Sequence, residues 1–210
     1  MIKIFVADDH SLIREGIKNI ISKEYDMSVV GETADPLKII ELAQHIKPDL
    51  LILDLSMPGK SGLDVLKEIK SVSPETKVLI MTMLPEDQFA KRTLKAGASG
   101  YLTKDSAPDE LINAIRKIIN GKKYISPSLA EKLAEDLDDT SPKEPHELLS
   151  DREFQVLKMI AAGKSQTEIA DELSIGISTV NTYRTRILEK LNLHTNAELI
   201  HFAYNNKLIE

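Results

Sequence analysis

Two hydrophobic periods alternate over the first 121 residues. Short runs of β-branched and aliphatic residues stand at 2–7, 28–32, 50–55, 77–82 and 100–102. Between them, apolar residues recur at helical spacing over 11–23, 36–46, 62–72, 86–96 and 108–120. Five strands alternating with five helices predict a doubly wound α/β domain around a parallel sheet. The run 50–55 is apolar at almost every position, as a strand buried on both faces should be. The last helix of this set carries Leu111, Ile112, Ile115, Ile118 and Ile119 on one side and stops at Gly121.

The pattern changes after that glycine. Residues 135–147, EDLDDTSPKEPHE, are acidic, hold two prolines and offer little to pack, which predicts an exposed linker. A short helix over Pro127 to Leu137 could extend the first domain toward it. From Leu149 onward every segment is helical in period, at about 151–162, 167–173, 178–191 and 195–205. Breaks fall at Gly163, at Ser174-Ile175-Gly176-Ile177 and at Asn192-Leu193-His194. Ser150-Asp151-Arg152-Glu153 has the capping-box spacing, in which Ser and Glu satisfy each other's free amides. The expected organisation is a domain over 1–121, a linker over 122–147 and a four-helix domain over 148–210.

Composition narrows the chemistry. The chain has no cysteine, so disulfides, thiolate metal sites and cysteine nucleophiles are excluded. No apolar run approaches ~20 residues, so no membrane span is expected. MIKIFVADD opens as a strand, without the basic and apolar regions of a signal peptide, which fits a cytoplasmic protein. The net charge of −6 divides as −2 over 1–121, −3 over 122–148 and −1 over 149–210. No part is globally basic, so nucleic-acid binding would have to come from a local patch.

The candidate chemistry lies at strand ends. Asp8-Asp9 closes the first apolar run and Asp54 the third. A parallel sheet brings the carboxyl ends of its strands to one edge, and sites form there near the reversal of strand order. Two carboxylates, a backbone carbonyl and waters would satisfy Mg²⁺, a hard cation that prefers octahedral oxygen ligands. Asp54 would then be placed to attack a phosphoryl group, forming an aspartyl phosphate. Thr82 ends the fourth strand and Lys104 follows the fifth, so a hydroxyl and an ammonium could each reach a phosphoryl oxygen. Each residue alone has a plainer reading: a helix or turn cap for the aspartates, a strand residue for Thr82, a solvated charge for Lys104. None of those readings explains the joint spacing.

The order Asp8-Asp9, Asp54, Thr82, Lys104, with Met57-Pro58-Gly59 and Gly62 after Asp54, resembles the receiver domain of bacterial two-component response regulators. The resemblance covers residues 2–121 and implies a flavodoxin-like fold. It implies that Asp54 accepts phosphate from a sensor histidine kinase. Mg²⁺ would sit on Asp9, Asp54 and the Ser56 carbonyl, with Asp8 holding it through water. Thr82 would move toward the phosphate, and Tyr101 would switch between outward and inward rotamers. Many members have proline after the lysine. Here Asp105 stands there, which disfavours a cis bond, since cis is costly without proline.

Residues 165–191, two helices joined by a short Gly-containing turn, form a helix-turn-helix pattern. In the second helix Val180, Ile187, Leu188 and Leu191 would pack inward. Asn181, Thr182, Thr185 and Arg186 would project outward, suited to base edges and phosphates in a major groove. Tyr183 and Arg184 lie at the margins; Tyr183 could bond a phosphate, and Arg184 could lay its stem on the core. Ser165, Gln166 and Thr167 could offer polar groups to the DNA backbone. Arg184, Arg186 and Lys190 against Glu189 give this helix a local excess of positive charge, so Lys190 joins the candidates. The region resembles the four-helix effector domain of the LuxR, NarL and FixJ type, through Leu149-Ser150-Asp151-Arg152-Glu153, Ile169-Ala170, Ser178-Thr179-Val180 and Lys190-Leu191. Many members place Lys after the Thr-Val pair, and this chain has Asn181.

Together these readings predict a phosphorylation-controlled transcription regulator. Phosphorylated, it would form a homodimer and bind promoter DNA at inverted repeats. Two other readings remain in view. A phosphohydrolase resembling the haloacid dehalogenase group would need a second Asp two residues after the nucleophile; Ser56 is there, which argues against a multiple-turnover enzyme. A regulator acting unphosphorylated, through protein contacts alone, would be indifferent to Asp54.

Overall fold

Strands β1 (Ile2–Ala7), β2 (Met27–Thr33), β3 (Leu50–Leu53), β4 (Lys77–Thr82) and β5 (Gly100–Thr103) form one parallel sheet in the order β2-β1-β3-β4-β5. The computed structural model describes residues 1–127, 129–131, 145–206 and 208–209. The chain divides into two compact units, Met1–Asp139 and Thr140–Glu210.

Helices α1 (Ser11–Ile21), α2 (Ile39–Ile46), α3 (Gly62–Val72), α4 (Glu86–Lys95) and α5 (Pro108–Ile119) alternate with the strands. Successive strand residues face opposite sides of the sheet. Ile4, Val6, Leu50, Ile52, Leu79, Met81 and Leu102 therefore share one face, where they form a single cluster with Ile17 and Ile21 of α1 and Leu111, Ala114, Ile115 and Ile118 of α5. Phe5, Ala7, Leu51, Leu53, Val78, Ile80 and Tyr101 alternate with them and are equally buried on the other face. The reversal of strand order falls between β1 and β3, where Asp54 N–H donates to the Ala7 carbonyl at 2.9 Å.

Of the element boundaries that differ from the sequence pattern, two are set by an aspartate. The strand expected over 50–55 ends at Leu53, because Asp54 Oδ1 accepts the Ser56 amide at 3.0 Å and turns the chain out of the sheet. The helix expected from 36 begins at Ile39, because Asp35 Oδ1 takes the Leu37 amide at 2.9 Å. Gly62 matters here: a Cβ on it would meet the Leu55 Cα at 2.5 Å and the Asp54 carbonyl oxygen at 2.7 Å. Only glycine lets α3 start that close to the turn carrying Asp54.

Beyond α5 the chain doubles back and Tyr124 bridges to Gly100 in parallel, at the free edge of β5. A helical turn starts at Pro127; the rest of the helix expected to Leu137 and the linker residues 135–144 lie outside the described residues. The linker's last three expected residues instead begin a 3₁₀ turn, Pro145–Leu148, in which the His146 ring stacks on Phe154 at 5.7 Å.

The second unit contains α6 (Asp151–Ala161), α7 (Gln166–Leu173), α8 (Ile177–Leu191) and α9 (Asn196–Asn205). Phe154, Leu157, Ile169, Leu173, Val180, Ile187 and Leu199 are buried at its centre. Reciprocal capping boxes start α6 (Ser150 and Glu153), α7 (Ser165 and Glu168) and α9 (Thr195 and Glu198). The turn between α7 and α8 is sharp because Ser174 adopts φ 51° and the Ile175 amide closes on the Ala170 carbonyl at 2.9 Å.

Candidate functional site

The sheet's carboxyl edge gathers the acidic residues as the spacing implied. Asp8 and Asp54 are buried, each almost without exposure, and Lys104 Nζ lies 2.8 Å from Asp8 Oδ2 and 2.6 Å from Asp54 Oδ2. Burial pulls the Lys104 ammonium's pKa down, but its hydrogen bonds to Asp54 and Asp8 outweigh that, and the net shift is upward. The lysine is therefore charged throughout the neutral range. Asp8 Oδ1 accepts the His10 amide at 2.8 Å, and Arg14 Nη1 donates to the Asp8 carbonyl at 2.8 Å, fixing the start of α1 against the site.

Carboxylate oxygens of Asp8, Asp9 and Asp54 and a ring nitrogen of His10 lie within 4.8 Å of one another. Asp9 Oδ1 is buried without a hydrogen bond, although the His10 Nδ1 is 2.8 Å away. A buried carboxylate oxygen left so is unfavourable unless a cation takes it. The donor set, mostly hard oxygens, fits Mg²⁺. His10 was not legible as part of this group. Its only local signal is its place directly after the acidic pair.

Thr82 is fully buried, with its Oγ1 3.3 Å from Ser56 Oγ and its carbonyl accepting the Lys104 amide at 3.0 Å. Tyr101 points inward, 1% exposed, and its hydroxyl donates to the Leu84 carbonyl at 2.8 Å. Burial, reinforced by the charges of Glu86, Asp54 and Asp87, pushes that phenol far above its ordinary range, so it stays a donor. Among the described residues no peptide bond is cis, so the bond between Lys104 and Asp105 is trans.

In the second unit, Asn181, Thr182, Thr185 and Arg186 stand exposed along α8, opposite buried Val180 and Ile187. Among the described residues Arg186 makes no ion pair. Thr182 Oγ1 donates to the Ser178 carbonyl of its own helix at 3.0 Å. Tyr183 and Arg184 are half-buried, but Arg184 does more than lie along the core: its Nε donates to Asn196 Oδ1 at 2.5 Å. Gln166 is half-buried and Thr167 exposed, while the Ser165 hydroxyl is engaged with Glu168 at 2.7 Å in the α7 cap.

Lys190 is exposed, and its Nζ donates to Glu153 Oε2 at 2.6 Å. Glu153 is 2% exposed and also takes the Ser150 amide at 2.6 Å. The pair ties the end of α8 to the start of α6. Sequence spacing could not reveal a partner 37 positions away. Burial raises the Glu153 carboxyl, but Lys190 and Ser150 lower it more, and the net pKa lies below the ordinary 4.5. Its stabilisation is therefore complete above pH 4.5 and fades as pH falls through the lower folded value. Lys190→Met should cost roughly 1–2 kcal/mol, less than a fully buried pair because the lysine is partly solvated. Urea unfolding measures it, and an unchanged midpoint would refute the pairing. In Glu153→Gln the acid-side fall in midpoint should flatten.

Comparison with known proteins agrees with both units. Residues 4–116 match the family model described as response regulator receiver domain, and residues 147–203 match that of bacterial regulatory proteins, luxR family. The response regulator GacA of Pseudomonas aeruginosa is 38% identical, over 100% of this chain and 99% of its own. The oxygen regulatory protein NreC of Staphylococcus carnosus is 37% identical, over 99% of each chain. Among solved structures, the RcsB response regulator of Salmonella typhimurium aligns with a TM-score of 0.69 at 26% identity, over 97% of both chains. A structure of two RcsB dimers bound to two parallel DNAs aligns with a TM-score of 0.60 at 28% identity, over 97% of this chain and 98% of that one.

Proposed function

The chain belongs to the response regulators that join a receiver domain to a luxR-type DNA-binding domain, and on that premise we propose that phosphate on Asp54 controls its binding to promoter DNA. The observation that carries this reading is the convergence of Lys104 on Asp8 and Asp54 at the sheet's switch point. A sensor histidine kinase is the donor. An Asp54 carboxylate oxygen forms the new bond to phosphorus as the bond from phosphorus to the donor imidazole breaks, and that imidazole keeps the electron pair and takes up a proton. Asp9, Asp54 and the Ser56 carbonyl would hold Mg²⁺, with Asp8 acting through water; when bound, the ion neutralises phosphoryl oxygens. Lys104 supplies a charged donor to the same oxygens, and the Thr82 hydroxyl supplies a neutral one.

The chain is not a multiple-turnover hydrolase on this reading. Ser56 occupies the place where a general acid would be needed, and a hydroxyl cannot replace a carboxylic acid near neutral pH. In the effector unit, Arg186 and Asn181 are the leading base readers on α8, with Thr185, Thr182, Tyr183 and Thr167 beside them. A homodimer would present two such helices to an inverted repeat, as dyad symmetry requires. The RcsB dimers on DNA support that arrangement. A regulator that binds promoter DNA would act in the cytoplasm. Among the described residues no helix is long and apolar enough to cross a membrane.

Incubation with acetyl phosphate and Mg²⁺ should add one phosphoryl group, mapped by mass spectrometry to Asp54. It should also raise dimer content by light scattering and extend a DNA footprint. A label on another residue, or a footprint indifferent to it, would overturn the reading.

A further inference from the structure

One carboxylate outside the acidic pocket holds the beginning of the inter-domain connection. Glu86, first residue of α4, takes two hydrogen bonds from Ser126: from its hydroxyl to Oε2 at 2.5 Å and from its amide to Oε1 at 3.3 Å. Ser126 in turn caps the turn that follows, its Oγ accepting the Leu129 amide at 3.1 Å, with Leu129 buried. Two residues earlier, Tyr124 lies along β5 as an added edge: Tyr101 N–H donates to its carbonyl at 3.1 Å, and its own amide donates to the Ser99 carbonyl at 3.0 Å. Gly100 makes this possible, since a Cβ there would meet the Tyr124 carbonyl at 2.9 Å.

The loop from Thr82 to Glu86 touches both ends of this arrangement. Thr82 faces Ser56 beside Asp54. The Leu84 carbonyl receives the Tyr101 hydroxyl at 2.8 Å, and Tyr101 supplies the backbone amide that holds Tyr124. Glu86, two residues on, holds Ser126. Only Met83, Leu84 and Pro85 separate Thr82 from Glu86, so a shift of Thr82 toward a phosphoryl group would pull on a short loop.

We propose that the edge of β5 and the Glu86 carboxylate form a docking surface for the chain's own residues 124–127, and that this latch carries the state of Asp54 to the connection. The inference rests on the reading of Asp54 as phosphoacceptor. Glu86 and Ser126 are positioning residues and touch neither phosphate nor DNA.

The test uses the full-length chain with Glu86→Gln, Glu86→Ala and Ser126→Ala. Phosphorylation of Asp54 by acetyl phosphate should stay within about twofold of the parent protein. Hydrogen exchange at Ser126 and Leu129 should accelerate at least about tenfold in Glu86→Ala, as lost local protection does. The ratio of DNA affinities with and without beryllofluoride should collapse toward one. Parent-like exchange at Ser126 and Leu129, or a parent-like affinity ratio, would overturn the latch. Failure of the parent itself to be labelled or to respond would instead strike the reading of Asp54.

Discussion

Asp54→Ala is expected to reduce labelling by acetyl phosphate to background while leaving the protein folded. Asp54 stands at the switch point with Lys104 Nζ 2.6 Å from its Oδ2 and with Ser56, two residues on, beside the Thr82 hydroxyl. The fold should survive, because Lys104 keeps Asp8 at 2.8 Å and the neighbouring negative charges lose one member. Intact mass spectrometry reads the label, and circular dichroism checks the fold. Chelating Mg²⁺ in the parent protein should suppress labelling as well, since three carboxylates would otherwise repel the incoming phosphoryl oxygens. Full labelling of Asp54→Ala, or of the parent in chelator, contradicts the assignment.

Arg186→Ala should weaken specific DNA binding by roughly 1–3 kcal/mol, about 5- to 150-fold, if the guanidinium pairs with a base, and should relax preference at one position of the site. If it meets only a phosphate, affinity should fall evenly across sequences and the salt slope should shrink by about one. Arg186 is singled out because the other cations of α8 are engaged: Arg184 by Asn196, Lys190 by Glu153. Fluorescence anisotropy over a range of salt separates the outcomes. Unchanged affinity and slope would remove Arg186 from the interface.

The residues that were legible in sequence are those whose role follows from local periodicity. The unbroken apolar run Leu50 to Leu53 could only be a doubly covered strand, and that fixed where Asp54 would stand. The outward set on α8 followed from the 3.6 period around Val180 and Ile187. The Ser150 and Glu153 box was visible as a three-residue spacing. What stayed hidden depends on partners far along the chain. Glu153 looks like a cap alone, yet Lys190 completes it; Ser126 looks like linker, yet Glu86 claims it. Asp35 displaced the start of α2 because its side chain competes with the helix for backbone amides, a choice that apolar spacing does not encode.

The capping boxes of the second unit bear on a quantity that seemed to count against it. Residues 149–210 carry seven basic and eight acidic side chains, an unpromising tally for meeting a polyanion. Glu153, Glu168 and Glu198 are among the eight, and each is clamped on backbone amides at a helix start, its carboxyl held below the ordinary range. There the partial positive end of the helix sits against the carboxylate. At physiological salt, fields fade over about 8 Å, so a duplex approaching α8 responds to nearby side chains and not to the sum. The net charge of the unit thus does not decide the encounter: these acids keep their charge at helix starts, and along α8 Arg186, exposed and without an ion pair among the described residues, is the cation a nucleic acid would meet.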